Sequence, residues 1–110
     1  MYIMENFEEF ARRRLDHTRQ RLALKEQQEQ RLTVTHNGGV FKVDISLLAY
    51  LKTEPNSHVY LKDSYDNPIH VDRDKLLTDA RHRYNEVMND WHNQHAELKQ
   101  VRRVGQLLDD

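Results

Sequence analysis

The chain has 110 residues, 32% of them charged, 37% hydrophobic, and a formal net charge of -1. That balance is rich in surface and lean in interior, as extended helices are, and it gives no global pull toward nucleic acid or acidic membranes. The absence of cysteine excludes disulfides and thiolate-held metals, and no apolar run approaches a membrane span.

The first element expected is a helix over Met4–Arg31. Met4, Phe7, Ala11, Leu15, Thr18 and Leu22 recur at three- and four-residue steps, and the rest is mostly Glu, Arg, Gln and Lys. The seam fades after Leu24, where Lys25–Arg31 is polar all round. A basic stripe, Arg12, Arg13, Arg14, Arg19, Arg21 and Lys25, raises phosphate binding as a reading. Interspersed carboxylates and the near-neutral charge argue against nucleic acid.

At Leu32 the hydrophobic period changes from helical to alternating. Leu32–His36 and Val40–Val43 read as strands around Asn37-Gly38-Gly39, a hairpin turn that requires positive φ. Asp44 or Ser46 then caps a short helix, residues 45–52, carrying Leu47, Leu48 and Leu51. Glu54-Pro55-Asn56-Ser57 ends it. A second hairpin follows: His58–Lys62, a turn over Ser64–Asn67, and Pro68–Val71. Each hairpin ends in Val-Asp before a helix with a Leu pair, so the pattern reads either as one hairpin-plus-helix unit used twice or as two ordinary capped junctions.

The last element is the longest, a helix over residues 72–104 of roughly 48 Å at about 1.5 Å per residue. Asp72 caps it and Gly105 is the expected stop, leaving a tail over 105–110. Leu77, Tyr84, Trp91 and Leu98 form one seam position. Ala80, Val87, Gln94 and Val101 form the other, which is polar once.

The fold class expected is α+β, mainly α, as a single domain over residues 1–110. Two long antiparallel helices form a coiled-coil-like stalk, and residues 32–71 form a small β-hairpin head, in the order helix-ββ-short helix-ββ-helix. With the helix ends near Arg31 and Asp72 placed together, facing residue numbers total roughly 104, each exposed ion pair then adding about 0–1 kcal/mol. This register sets Glu5, Glu8 and Glu9 near Lys99, Arg102 and Arg103, Lys25 near Asp79, and Leu15 and Leu22 against Tyr84 and Val87. Trp91 and Leu22 are expected to be buried in the stalk.

No phosphate loop, nucleophile elbow or structured carboxylate pair is present in the sequence, so no enzyme activity, catalytic residue or cofactor is expected. His92 and His95 share a helix face but lack a third ligand at a tight offset, so they are weak metal candidates and no metal site is assigned. The candidate partner-binding residues are Leu47, Leu51, Tyr60, Tyr65, Leu107 and Leu108. They suit protein partners, either further copies of the chain in a homo-oligomer or a larger assembly.

In the order of its elements alone, the chain resembles the prefoldin family, whose subunits place β-hairpins between paired long helices. The resemblance spans most of the chain, and the internal short helix and short stalk depart from it. It rests on no residue motif and carries over no functional residue; it implies a small chaperone or adaptor. The leading expectation is a structural or assembly component of a virion or other multisubunit particle, with a nucleic-acid accessory role the weaker alternative. The glutamates Glu5, Glu8 and Glu9 in the first ten residues are unlike a signal peptide. A location in the cytoplasm or within an assembled particle is therefore expected, neither secreted nor transmembrane.

Overall fold

A computed structural model describes residues 2–108, with side chains over residues 7–101. The elements run α1 (Tyr2–Arg31), β1 (Thr33–His36), β2 (Gly39–Lys42), α2 (Ile45–Thr53), β3 (His58–Lys62), β4 (Pro68–Asp72) and α3 (Arg73–Leu108). The chain is therefore mainly α, with two small antiparallel hairpins, in the element order expected. Internal contacts divide it into two compact units, Gln30–Asn89 and the helical segments Met1–Glu29 with Asp90–Asp110.

In the unit Gln30–Asn89, each hairpin is its own two-stranded sheet. In the first, Val34 pairs with Phe41 and His36 with Gly39. Asn37 (φ 49°) and Gly38 (φ 81°) make the turn. Both positive φ values match the right-handed strand twist a two-residue hairpin needs. Gly39, expected as part of that turn, is instead the first residue of β2 and has no positive φ. Its glycine is required for space, because a Cβ there would lie 2.6 Å from Ile69 Cγ1. In the second hairpin, Val59 pairs with Val71 and Leu61 with Ile69. These residues are buried or half-buried, while His58, Tyr60 and His70 are exposed. That alternation follows from the two-residue period of a strand.

The hairpins are tied edge to loop. The Ser64 N–H donates to the Val40 carbonyl at 2.8 Å, and the Val40 N–H donates to Asp63 Oδ2 at 3.1 Å. Both strand-to-helix junctions are capped by aspartate. Asp44 Oδ1 accepts the Leu47 N–H at 2.7 Å, and Asp72 Oδ1 accepts the Lys75 N–H at 3.3 Å. The residue before each cap, Val43 and Val71, is fully buried. Around them lie two apolar clusters. Leu32, Val43, Ala80 and Val87 form one; Phe41, Leu51, Val71 and Leu76 form the other. Each fully buried aliphatic side chain here contributes about 1.5–3 kcal/mol relative to exposure.

In the other unit, α1 and α3 run antiparallel. Gln28 is 1% exposed, and its Nε2 donates to Gln94 Oε1 at 2.9 Å. The expected register sets Gln28 opposite Leu76; the observed partner lies eighteen residues further on, five turns at about 3.6 residues per turn. The cause is visible in the unit Gln30–Asn89. The first turns of α3 spend Leu76, Ala80 and Val87 on the hairpin clusters. Arg31, at the end of α1, consequently meets Glu86 at 3.7 Å rather than Asp72. Lys25 pairs with Glu29 on its own helix at 4.0 Å, not with Asp79.

The inward face of α1 also differs from the expected one. Arg13, His17, Leu24, Gln28 and Arg31 are buried or half-buried, whereas Phe7, Leu15 and Leu22 are exposed. Leu22, expected in the seam, is 57% exposed. Trp91, also expected there, is half-buried. On α3, Leu77, Ala80, Tyr84, Val87, Trp91 and Leu98 of the expected seam are buried or half-buried, whereas Gln94 and Val101 are exposed. Gly105 does not end α3, which continues to Leu108. The side chains of Leu107 and Leu108 lie outside the described residues.

Candidate interaction surfaces

Phe7, Ala11, Leu15, Thr18 and Leu22 recur every three or four residues and share one face of α1. All five are exposed, Phe7 at 69% and Leu15 at 49%. This is an apolar ridge on a helix whose remaining sequence is largely charged and amide.

A second surface is the outer face of β3 and β4. The His58 and His70 rings stack with centroids 5.4 Å apart at 19°, and Tyr60 lies 5.2 Å from His70. Tyr60 is 75% exposed. Strand alternation places these rings on one side because Val59, Leu61, Ile69 and Val71 take the other.

Tyr65 lies in the β3–β4 loop and is 73% exposed. Asp63 builds the loop. Its Oδ1 accepts the N–H groups of Tyr65 at 3.0 Å and Asn67 at 2.9 Å, and Oδ2 accepts that of Val40. The Asn67 N–H, with those of Val40 and Tyr65, holds the Asp63 carboxyl below the usual carboxylate value. The sequence reading passed over Asp63; an aspartate two and four residues before the donors it serves is the local signal for such a turn.

His36 is a further buried polar group. Its Nε2 accepts the Asp72 N–H at 3.1 Å and lies 3.3 Å from Asn37 Nδ2. Asn37 reaches across to donate to the His70 carbonyl at 2.8 Å. His36 and Asn37 therefore brace the two hairpins against each other.

Of the other candidate residues, Leu47 is half-buried against the second apolar cluster. Leu51 is fully buried in that cluster, so its side chain has no surface to offer a partner. Its heptad-like spacing with Leu47 and Leu48 serves the core. His92 is exposed and His95 half-buried. Among the described residues no group of three or more His, Cys, Asp or Glu converges as a metal site would.

Among the described residues of the helical unit, two cavities bear on function. One, of about 400 Å³, is lined by Ala23, Leu24, Leu98 and Val101 with Gln27 and Gln94. The other, of about 60 Å³, is lined by His17, Arg21, His95, Leu98 and Lys99. A polar depression of about 390 Å³ on the other unit includes Asp79, His82 and Glu86. There Glu86 is engaged by Arg31 at 3.7 Å and His82 at 3.9 Å. No helix among the described residues is long and apolar enough to cross a membrane. No protein-family model, curated protein or solved structure matches the chain.

Proposed function

We propose that the protein is a non-enzymatic structural or assembly component, acting through protein–protein contacts in a homo-oligomer or larger particle such as a virion. The observation that carries this reading is the apolar ridge of α1. Large apolar side chains clustered on one exposed face mark association surfaces, whereas scattered ones do not. In this reading α1 and α3 serve as a coiled-coil-like stalk, and the ridge together with the Tyr60–Tyr65 side of the second hairpin receives neighbours. The place of action is the cytoplasm or the assembled particle.

The test is native mass spectrometry of the full chain with its co-purifying partners, beside a Phe7→Ser/Leu22→Ser variant. Stoichiometric complexes that dissociate in the variant, with the fold retained, are the expected result. A wild-type chain that stays monomeric and partner-free at micromolar concentration overturns the proposal. Phe7 and Phe10, both exposed near the start of α1, also favour a second reading as a small chaperone or adaptor. That reading requires suppression of aggregation of an unfolded client at substoichiometric occupancy of any fixed complex.

A further inference from the structure

We infer that the small cavity between α1 and α3 is a binding site for a tetrahedral oxyanion of the phosphate class. The inference is independent of the assembly reading. It begins with a question the sequence left open, namely where the basic stripe of α1 goes. Arg12, Arg14 and Arg19 are exposed on other parts of the helix. Arg21 instead joins three basic groups on one wall: His17, one turn earlier on α1, and His95 and Lys99, one turn apart on α3.

The spacing explains the convergence. Residues four apart stand one above the other on a helix. Two such pairs, on antiparallel neighbours, put four basic side chains around one space. No carboxylate lines it. Among the described residues, none of the four makes a hydrogen bond, ring contact or ion pair. Lys25, Arg31 and Arg73, by contrast, are paired with Glu29, Glu86 and Asp74, while Arg12, Arg14 and Arg19 stand on open surface.

Most of the lining is apolar, and its polar part is one-sided. Arginine and lysine supply only donors, and each imidazole supplies at least one N–H in any state. His17 and His95 are half-buried, and Leu98 forms the apolar part of the lining. An apolar floor reduces water and strengthens charge-assisted hydrogen bonds to an anion.

Size narrows the ligand class. About 60 Å³ is several times the ~10–15 Å³ needed for one water. Four oxygens around one centre fit that room; a whole nucleotide does not. A phosphate monoester enters with its phosphate end, so free phosphate and a terminal phosphate group share the same recognition.

The test follows the imidazole carbon-bound protons of His17 and His95 by NMR on the full chain. Inorganic phosphate, sulfate, phenyl phosphate and sodium chloride are titrated at matched ionic strength. Saturable shifts at both histidines with phosphate, absent with chloride, are expected. Sulfate acting equally marks a general oxyanion site, and phenyl phosphate acting equally marks a site open to monoesters; both outcomes support the inference. Arg21→Gln and Lys99→Gln, both at exposed positions, should each weaken binding about tenfold while leaving the hairpin amide spectrum unchanged. Equal shifts with chloride, or unaltered phosphate binding in both variants, overturn it.

Discussion

The two units of this protein bury different chemistry. In Gln30–Asn89 the interior is aliphatic and aromatic: Phe41, Val43, Leu51, Val71, Leu76, Ala80 and Val87 are all nearly or fully buried. In the helical unit, the buried side chains among the described residues are Leu24 and Gln28. One unit is held by area removed from water, the other is aligned by an amide pair in a thin seam. The difference teaches where stability and where register reside. Apolar burial is large and non-directional, whereas the hydrogen bond of buried Gln28 to exposed Gln94 contributes little net energy but favours one alignment.

The largest expected effect is on the aliphatic side. Leu51→Ala should lower unfolding stability by about 2–5 kcal/mol, as buried Leu-to-Ala changes do, measured by chemical denaturation. The same change at Leu22, 57% exposed, should fall within about ±0.5 kcal/mol. Equal effects at the two sites would erase the distinction between core and ridge.

Asp63 comes next, and it makes the hairpin unit acid-sensitive. Its carboxyl sits below the ordinary value of 3.8, chiefly through the Asn67 N–H. A depressed folded value means the charged form is favoured by folding. The stabilisation is therefore complete above the unfolded value and is lost as pH falls through the lower folded one. Amide exchange at Val40, Tyr65 and Asn67 should accelerate over that window. Asp63→Asn should flatten the acid limb, and an unchanged limb would show that Asp63 does not set it.

The amide pair sharpens the helical half. Gln28→Ala should cost about 1–3 kcal/mol, because it removes a fully packed side chain together with its hydrogen bond to Gln94. Replacing both glutamines by Leu should cost less than Gln28→Ala, since it refills the buried position and removes both ends of the hydrogen bond together. Its effect should appear as register: cross-links placed for the native alignment should lose yield. Full retention of that yield would assign register to the ion pairs instead.

The hairpins were legible because several local signals agreed. Asn37-Gly38, the Val43-Asp44 and Val71-Asp72 junctions and the strand alternation each specify the same chain path. The helix pairing was less legible because α1 offers two stripes. Its apolar stripe through Phe7 and Leu22 is the stronger pattern, yet the stripe through His17, Leu24 and Gln28 turns inward. The polar residue noted in the α3 seam, Gln94, was the useful clue, since its partner is the glutamine on the less obvious stripe. The basic cavity was illegible for a related reason. It needs the register of two helices, and the expected one sets His17 opposite Val87 and Arg21 opposite Arg83, short of His95 and Lys99.

The turn glycines give a smaller and more local contrast. Gly38→Ala should cost about 1–2 kcal/mol through its positive φ alone, because a Cβ there meets nothing within 4 Å. Gly39→Ala is strained by Ile69 instead. A double-mutant cycle with Ile69→Ala should therefore relieve Gly39→Ala and leave Gly38→Ala unrelieved. Equal coupling at both glycines would mean that they act through one cause.

The smallest stability effect belongs to the ring face of the second hairpin. Tyr60→Ser should change unfolding stability by no more than about 0.5–1 kcal/mol, the scale of an exposed cross-strand pair. Its ring touches His70 on a face that solvent covers, while its neighbour Val59 points to the apolar cluster. Val59→Ser should cost more, measured in the same denaturation series, because it places a hydroxyl where the cluster offers no partner. A single strand thus carries both kinds of position, separated by one residue. If Tyr60→Ser destabilises as much as Val59→Ser, the ring face is structural and cannot be held free for a neighbour. If it is silent in stability but lowers the yield of the native complex, the face contributes to association without contributing to the fold.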